Sequence, residues 1–254
     1  MTTTVAEPLL AVERVSKRFG GLLALDAASL AAPAGRITGL IGPNGAGKTT
    51  LFSIISGFLR PSAGQVRYGG AEVTGEAPHR LAQRGIARTF QIVQPFAALS
   101  VRDNIAVGAH LRHRARRAAL AAAEQVAHEV GLADMLDRPA SSLTVAAGKR
   151  LELARALATA PKLLLLDEVL AGLNPSELRD FVPAVRAIAD RGVTIVMVEH
   201  VMQAVMMLAE HVYVLAEGRV IADGAPGAIT ADPKVIEAYL GRGAAAKLSG
   251  GARG

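Results

Sequence analysis

The stretch GRITGLIGPNGAGKTTLFSIISGF, residues 35–58, decides how the chain reads. An apolar run, Ile37 to Ile41, meets Gly42-Pro43-Asn44-Gly45-Ala46-Gly47-Lys48-Thr49, and a helical pattern follows at once. The octet fits G-x-x-x-x-G-K-[ST]. Each part has a physical task. Glycines let successive backbone N–H groups turn inward around phosphate oxygens. The helix that follows offers its positive N-terminus to the same anion. Lys48 brings a point charge to the terminal phosphates, and the Thr49 hydroxyl can ligate Mg²⁺. A glycine-rich turn that merely happened to contain lysine would lack this strand and helix on either side. The chain reads as a nucleotide-binding α/β protein. Gly57 is placed to end the helix, with Pro61 beyond it.

Further along, Leu163 to Leu166 run straight into Asp167 and Glu168. An apolar strand ending in acid puts carboxylates at a strand's C-terminal edge, where open α/β sheets bind ligands. Asp167 is expected to hold Mg²⁺, directly or through water. Glu168 is expected to align water against the terminal phosphate as general base. VTIVMVE, residues 193–199, is another short apolar run, and both suit parallel strands buried on two faces. Between them, Asn174-Pro175-Ser176-Glu177 predicts a helix start, with Asn as cap, Pro in the first turn and Glu three residues on. Gly192 closes that helix.

AVERVSKRF, residues 11–19, predicts an early strand, and the segments around Glu217-Gly218 predict a late hairpin. The middle, about 93–160, is helical in character. Leu111 to Gly131 is rich in strong helix formers, and a further helix near Gly148 to Ala160 must end before Pro161.

Bulk numbers agree with this and exclude other classes. The 254 residues are 51% hydrophobic with no cysteine, which removes disulfides and cysteine-ligated metals. No uninterrupted apolar run reaches the roughly 18–20 residues that would span a bilayer. The amino-terminal stretch lacks the basic start and apolar core of a secretory signal. The chain is expected to stay where it is made, so any membrane link must come through another protein. The +6 charge admits anionic partners. Nucleic acid is not expected, because aromatic interleaving and a DNA or RNA motif are both missing.

With the two motifs in this order, the chain resembles the ATP-binding-cassette ATPases over about residues 9–241. The resemblance implies a P-loop NTPase core with a mainly parallel sheet, about 9–92 and 160–241. It also implies an N-terminal antiparallel β subdomain and an inserted helical subdomain at about 93–159, with 242–254 a disordered tail. It further implies roles that no general rule would find. Phe19, in SKRFG, matches the aromatic that stacks on adenine. Gln91, in RTFQ, matches the glutamine joining the metal site to the membrane-subunit interface. His200, in VEHVM, matches the switch histidine that contacts the terminal phosphate. Thr50 belongs to the nucleotide-binding set with the octet, and Ala171-Gly172-Leu173-Asn174 takes the place of the loop crossing the dimer interface.

Within that family, VSKRFGGLLALD, LDEVLAGLNP and DPKVIEAYLG are most similar to branched-chain amino-acid importer ATPases. The signature Leu-Ser-Gly-Gly-Gln is altered here to Leu143-Thr144-Val145-Ala146-Ala147. Thr144 keeps a hydroxyl, but both expected glycines are larger, unless the loop shifts to use Gly148. The implied partners are a second cassette, integral permease subunits and, indirectly, a solute-binding protein. The implied place is the cytoplasmic face of the membrane. The implied reaction is ATP hydrolysis with Mg²⁺, energising solute import. Alternatives are a cassette serving urea, amides or lipid-type solutes, a weakly hydrolysing regulatory cassette, and a soluble cassette acting on ribosomes or DNA. The basic run LRHRARR, residues 111–117, reads as a solvated helix face or as a contact for anionic headgroups.

Overall fold

The computed structural model describes residues 7–90 and 94–240. Its first layer is an antiparallel sheet. Strand β1 (Leu10–Phe19) turns at Gly20-Gly21 into β2 (Leu22–Ala32). After β3 (Ile37–Ile41) and α1 (Lys48–Ile55), the chain returns to the first sheet as β4 (Ala63–Tyr68) and β5 (Ala71–Glu72), giving the order β2-β1-β4-β5.

Helix α2 (Pro78–Arg84) and strand β6 (Ile86–Arg88) precede a helical block. That block holds α3 (Val101–Ala109), α4 (Arg116–Glu129) and α5 (Val145–Leu157). The chain then forms β7 (Leu163–Asp167), α6 (Pro175–Asp190), β8 (Thr194–Val198) and α7 (Met202–Leu208). It ends with β9 (His211–Ala216), β10 (Arg219–Gly224), α8 (Pro226–Ala231) and α9 (Pro233–Leu240). The second sheet has the order β10-β9-β3-β8-β7-β6, parallel throughout except for β10 at its edge.

The leucine run explains why β7 lies inside the sheet, between β8 and the edge strand β6. Its alternating side chains enter two different cores. Leu164 and Leu166 pack with the helical block and α6, whereas Leu163 and Leu165 pack with α1 and the antiparallel sheet. All four are fully buried, which is worth about 2 kcal/mol of apolar transfer each. A polar residue on either face would be stranded, so the run ends only where the sheet ends, at Asp167.

Helix α6 starts as the sequence predicts. The Asn174 side chain accepts from the N–H groups of Ser176 and Glu177 at 2.9 and 3.0 Å, and Glu177 Oε2 accepts from the Asn174 N–H at 2.9 Å. Two other helices begin elsewhere than expected. Helix α4 starts at Arg116, not Leu111, because Arg112 is drawn off to three carbonyls of two neighbouring segments. Its guanidinium donates to Thr159 O, Gln83 O and Ala82 O at 3.0–3.2 Å. The basic run is therefore a pinned turn leading into a helix, and not one continuous helix face. Helix α5 starts at Val145, because the Thr144 hydroxyl caps it by accepting from the Ala147 N–H at 3.3 Å. Among the described residues, no helix is long and apolar enough to cross a membrane.

Candidate active site

The phosphate-binding octet spans the β3–α1 connection, and two of its glycines are required by close backbone approach. A Cβ at Gly42 would lie 1.9 Å from Leu215 O on β9. One at Gly47 would lie 2.6 Å from Ala24 O on β2. The loop is thus wedged between both sheets. The turn after β9 fastens it further: Gly218 N–H donates to Ala46 O at 3.0 Å, and Asp26 N–H donates to Gly218 O at 2.9 Å. A Cβ on Gly45 would meet nothing within 4 Å, so that side of the loop is open.

A cleft of about 550 Å³ opens there, lined by Phe19, the loop from Asn44 to Thr50, Glu168 and His200. Lys48 is buried, and its ammonium donates to the loop carbonyls of Gly42 and Pro43 at 2.7 and 3.0 Å. Burial pushes its pKa down, and the nearby charges of Glu168 and Asp167 oppose that. The ammonium thus closes its own loop. Phe19 ends β1 at the cleft rim and is 45% exposed, with the Lys17 ammonium 5.2 Å from its ring centre. An exposed ring beside a phosphate cradle suits a stacked base.

Glu168 and His200 come from the ends of neighbouring strands and touch, His200 Nε2 against Glu168 Oε1. Glu168 carries φ +52°, a conformation that costs an L-residue about 1 kcal/mol or more. Two anchors hold it there. Its N–H donates to Val198 O at 2.9 Å, and its carbonyl accepts from Lys149 Nζ at 3.2 Å. The strain aims the carboxylate out of the sheet edge into the cleft.

Asp167 faces the other way around Thr49. The two line a second cavity with Arg88, Phe90, Gln94, Glu152 and Arg155. A threonine hydroxyl and a carboxylate are hard oxygen donors of the kind Mg²⁺ takes. Among the described residues no three His, Cys, Asp or Glu side chains gather as a metal cage. Gln91 lies outside the described residues. The chain on both sides of it is tethered to α5: Phe90 N–H donates to the Glu152 carboxylate, and Arg155 Nη1 donates to Gln94 O at 3.1 Å.

Of the altered signature, Thr144 stands at the exposed start of α5. Gly148 does not serve a shifted loop. It is buried one turn inside the helix, and its N–H already donates to Thr144 O at 2.8 Å.

Sequence reasoning missed the charged groups behind the site. Glu199 is fully buried: Oε1 accepts from the Leu170 N–H at 2.9 Å, and Oε2 has no hydrogen-bond partner. Burial raises its pKa to about 7, opposed by the Leu170 N–H and the Lys149 ammonium. Below the unfolded value of 4.5 both states hold the proton. As pH rises from 4.5 to about 7 the native state holds it more tightly, so stability falls across that window. Glu199→Gln, which keeps an acceptor for Leu170, is expected to raise Tm at pH 8 by several degrees and by less at pH 5. Thermal unfolding at the two pH values checks this, and an equal shift at both would refute it. An acid closing an otherwise apolar run was the only sequence signal for Glu199, as an arginine closing Ile86-Ala87 was for Arg88.

Comparison with known proteins agrees with this architecture. The family profile described as ABC transporter matches residues 25–171. One described as branched-chain amino acid ATP-binding cassette transporter matches residues 219–245. The chain is 38% identical over 254 residues to the high-affinity branched-chain amino acid transport ATP-binding protein BraF of Pseudomonas aeruginosa, covering 93% of this chain and 99% of BraF. It is 36% identical over 253 residues to LivG of Escherichia coli K12, with the same coverage. Among solved structures, a nucleotide-free ATP-binding cassette from an ABC transporter superposes with TM-score 0.85 at 31% identity, covering 92% of this chain and 99% of that one. A cassette in its ADP conformation gives 0.84 at 32%, with equal coverage. The chain belongs to the ATP-binding-cassette transporter family, as one of its ATP-binding, ATP-hydrolysing cassettes.

Proposed function

We propose that this chain drives uptake of branched-chain or related amino acids by hydrolysing ATP beneath a pair of permease subunits. The observation that carries the hydrolytic part is the convergence of Lys48, Thr49, Glu168 and His200 on one cleft. The solute class rests on the names that BraF and LivG bear and on the match over residues 219–245.

In this reading the loop amides from Gly42 to Thr50 cradle the phosphates, and Phe19 stacks on the base. Lys48 leaves its two loop carbonyls for the terminal phosphate, gaining a charged acceptor for neutral ones. Thr49, Asp167 and Gln91 would hold Mg²⁺, which would supply charge neutralisation at the phosphates. Glu168 accepts a proton from the attacking water, and His200, already against Oε1, fixes the carboxylate's rotamer and faces the terminal phosphate. Thr144 at the head of α5 reaches the nucleotide of a second cassette. The division into a core at 9–92 and 160–241 with a helical insert at 93–159 belongs to the same proposal. So does a position at the cytoplasmic face of the membrane, held through the permease. A groove of about 290 Å³, walled by Phe58, Phe90 and Val107, offers the apolar floor that a permease segment needs.

The test is reconstitution with the permease subunits and binding protein in proteoliposomes. ATP-dependent leucine uptake is expected to disappear with Lys48→Met. Uptake of urea in place of any amino acid would overturn the solute assignment and leave the ATPase intact.

A further inference from the structure

One buried cation is used by nothing above. Arg88, the last residue of β6, places Nη2 2.7 Å from Asp167 Oδ2, and both side chains are nearly inaccessible, at 8% and 5%. Its Nη1 donates to the hydroxyls of Ser53 on α1 and of Ser56 just past its end at 3.2 and 3.0 Å, and its buried Nε has no hydrogen-bond partner. Three phenyl rings surround the guanidinium: Phe52 and Phe58 with centroids 5.9 Å away, and Phe90 at 5.5 Å. Phe58 and Phe90 meet edge to face at 5.8 Å, and they are 54% and 45% exposed on the floor of the groove. Arg88 lines both that groove and the cavity holding Thr49 and Asp167.

A rigid, permanently charged fork thus sits on the carboxylate that the metal needs. Two cations at one carboxylate repel, and in a partly desolvated site that repulsion is weakly screened. A buried Asp with its Arg removed carries an uncompensated charge, which a divalent ion would satisfy.

We propose that Arg88 is a positioning residue that competes with the divalent ion for Asp167, and that the groove rings Phe58 and Phe90 hold it in that position. The inference rests on the ATPase reading of the site and adds a second control on it. The state of the groove reaches the metal carboxylate through a side chain separate from Gln91. Displacing Phe58 or Phe90 loosens the guanidinium and frees Asp167, and covering them in place keeps the competition.

The experiment is a binding measurement on the intact chain alone. Affinity for a fluorescent ATP analogue is measured with Mg²⁺ and with EDTA, and the ratio of the two reports how strongly metal is captured. Asp167→Asn sets the value for a lost carboxylate. Arg88→Met is expected to raise the ratio at least about fivefold above wild type, with the EDTA affinity little changed. Phe58→Ala alters an exposed ring, so its fold is not at risk, and it is expected to raise the ratio about twofold through loss of one cation–π wall. A ratio that stays at wild type or falls in Arg88→Met overturns the proposal. If that variant does not fold, an unchanged ratio in Phe58→Ala overturns it. Lys48→Ala separates the two levels: undiminished nucleotide binding there would sink the reading of the site itself.

Discussion

Replacing Glu168 by Gln is expected to lower ATP turnover by roughly a thousandfold while nucleotide affinity stays within about threefold of wild type, since general-base groups contribute on the order of 10²–10⁴. The amide keeps the shape of the carboxylate and can still meet His200, but it cannot take a proton from water. Two features of the structure make this substitution clean. The backbone at Glu168 is held by Val198 O and Lys149 Nζ through main-chain atoms, which the substitution leaves alone. Lys48 also keeps Asp167 as a countercharge. Steady-state hydrolysis by the assembled transporter, with filter binding of radiolabelled ATP, measures both quantities. Near-normal turnover would remove Glu168 from the chemistry. His200→Ala would then have to be examined as the principal group.

The second large effect is expected at Gly42. An alanine there would set its Cβ 1.9 Å from Leu215 O, well inside any tolerable contact, at a backbone φ of +152°. Neither partner can yield easily. Gly42 continues β3 at the centre of the sheet, and Leu215 belongs to the strand paired with it. Relief requires parting β3 from β9 at the point where the phosphate loop begins. Gly42→Ala is expected to lower Tm by about 5 °C or more and to weaken ATP binding at least tenfold, as overpacking of a tight backbone contact costs about 1–3 kcal/mol. Differential scanning calorimetry and the fluorescent-nucleotide titration check the two halves. Unchanged Tm would mean that the loop approaches β9 less closely than described.

The parts legible in sequence were those with a local cause. The octet, the leucine run and the Asn174 cap each state their structure within a few residues. The parallel, doubly buried character of the strands at 163–167 and 194–198 and the capped helix followed from them; the order of the strands did not. What could not be read depended on distant partners. Arg112 looked like one charge among several until its three carbonyl acceptors, from turns at 82–83 and 159, were seen. Nothing in VTIVMVE tells that Glu199 is buried beside Lys149 from another helix. The altered signature was legible as a departure, but its outcome turned on whether Thr144 would cap. Once it does, Gly148 is committed to the first turn and lost to any loop. Gln91 follows from the resemblance alone and lies outside the described residues; its neighbours Phe90 and Gln94 lie within them.

Those two neighbours have a mechanical consequence. Glu152 and Arg155 lie on one face of α5, a single turn apart; the first accepts from the amide of Phe90 and the second donates to the carbonyl of Gln94. Phe90 and Gln94 are therefore both moored to one rod. If the helical block swings against the sheet, these moorings pull on Phe90 and Gln94 together. Thr144, at the head of the same rod, travels too. A displacement at one end of α5 is thereby felt beside Thr49 and Asp167, whose cavity Phe90 and Gln94 both line.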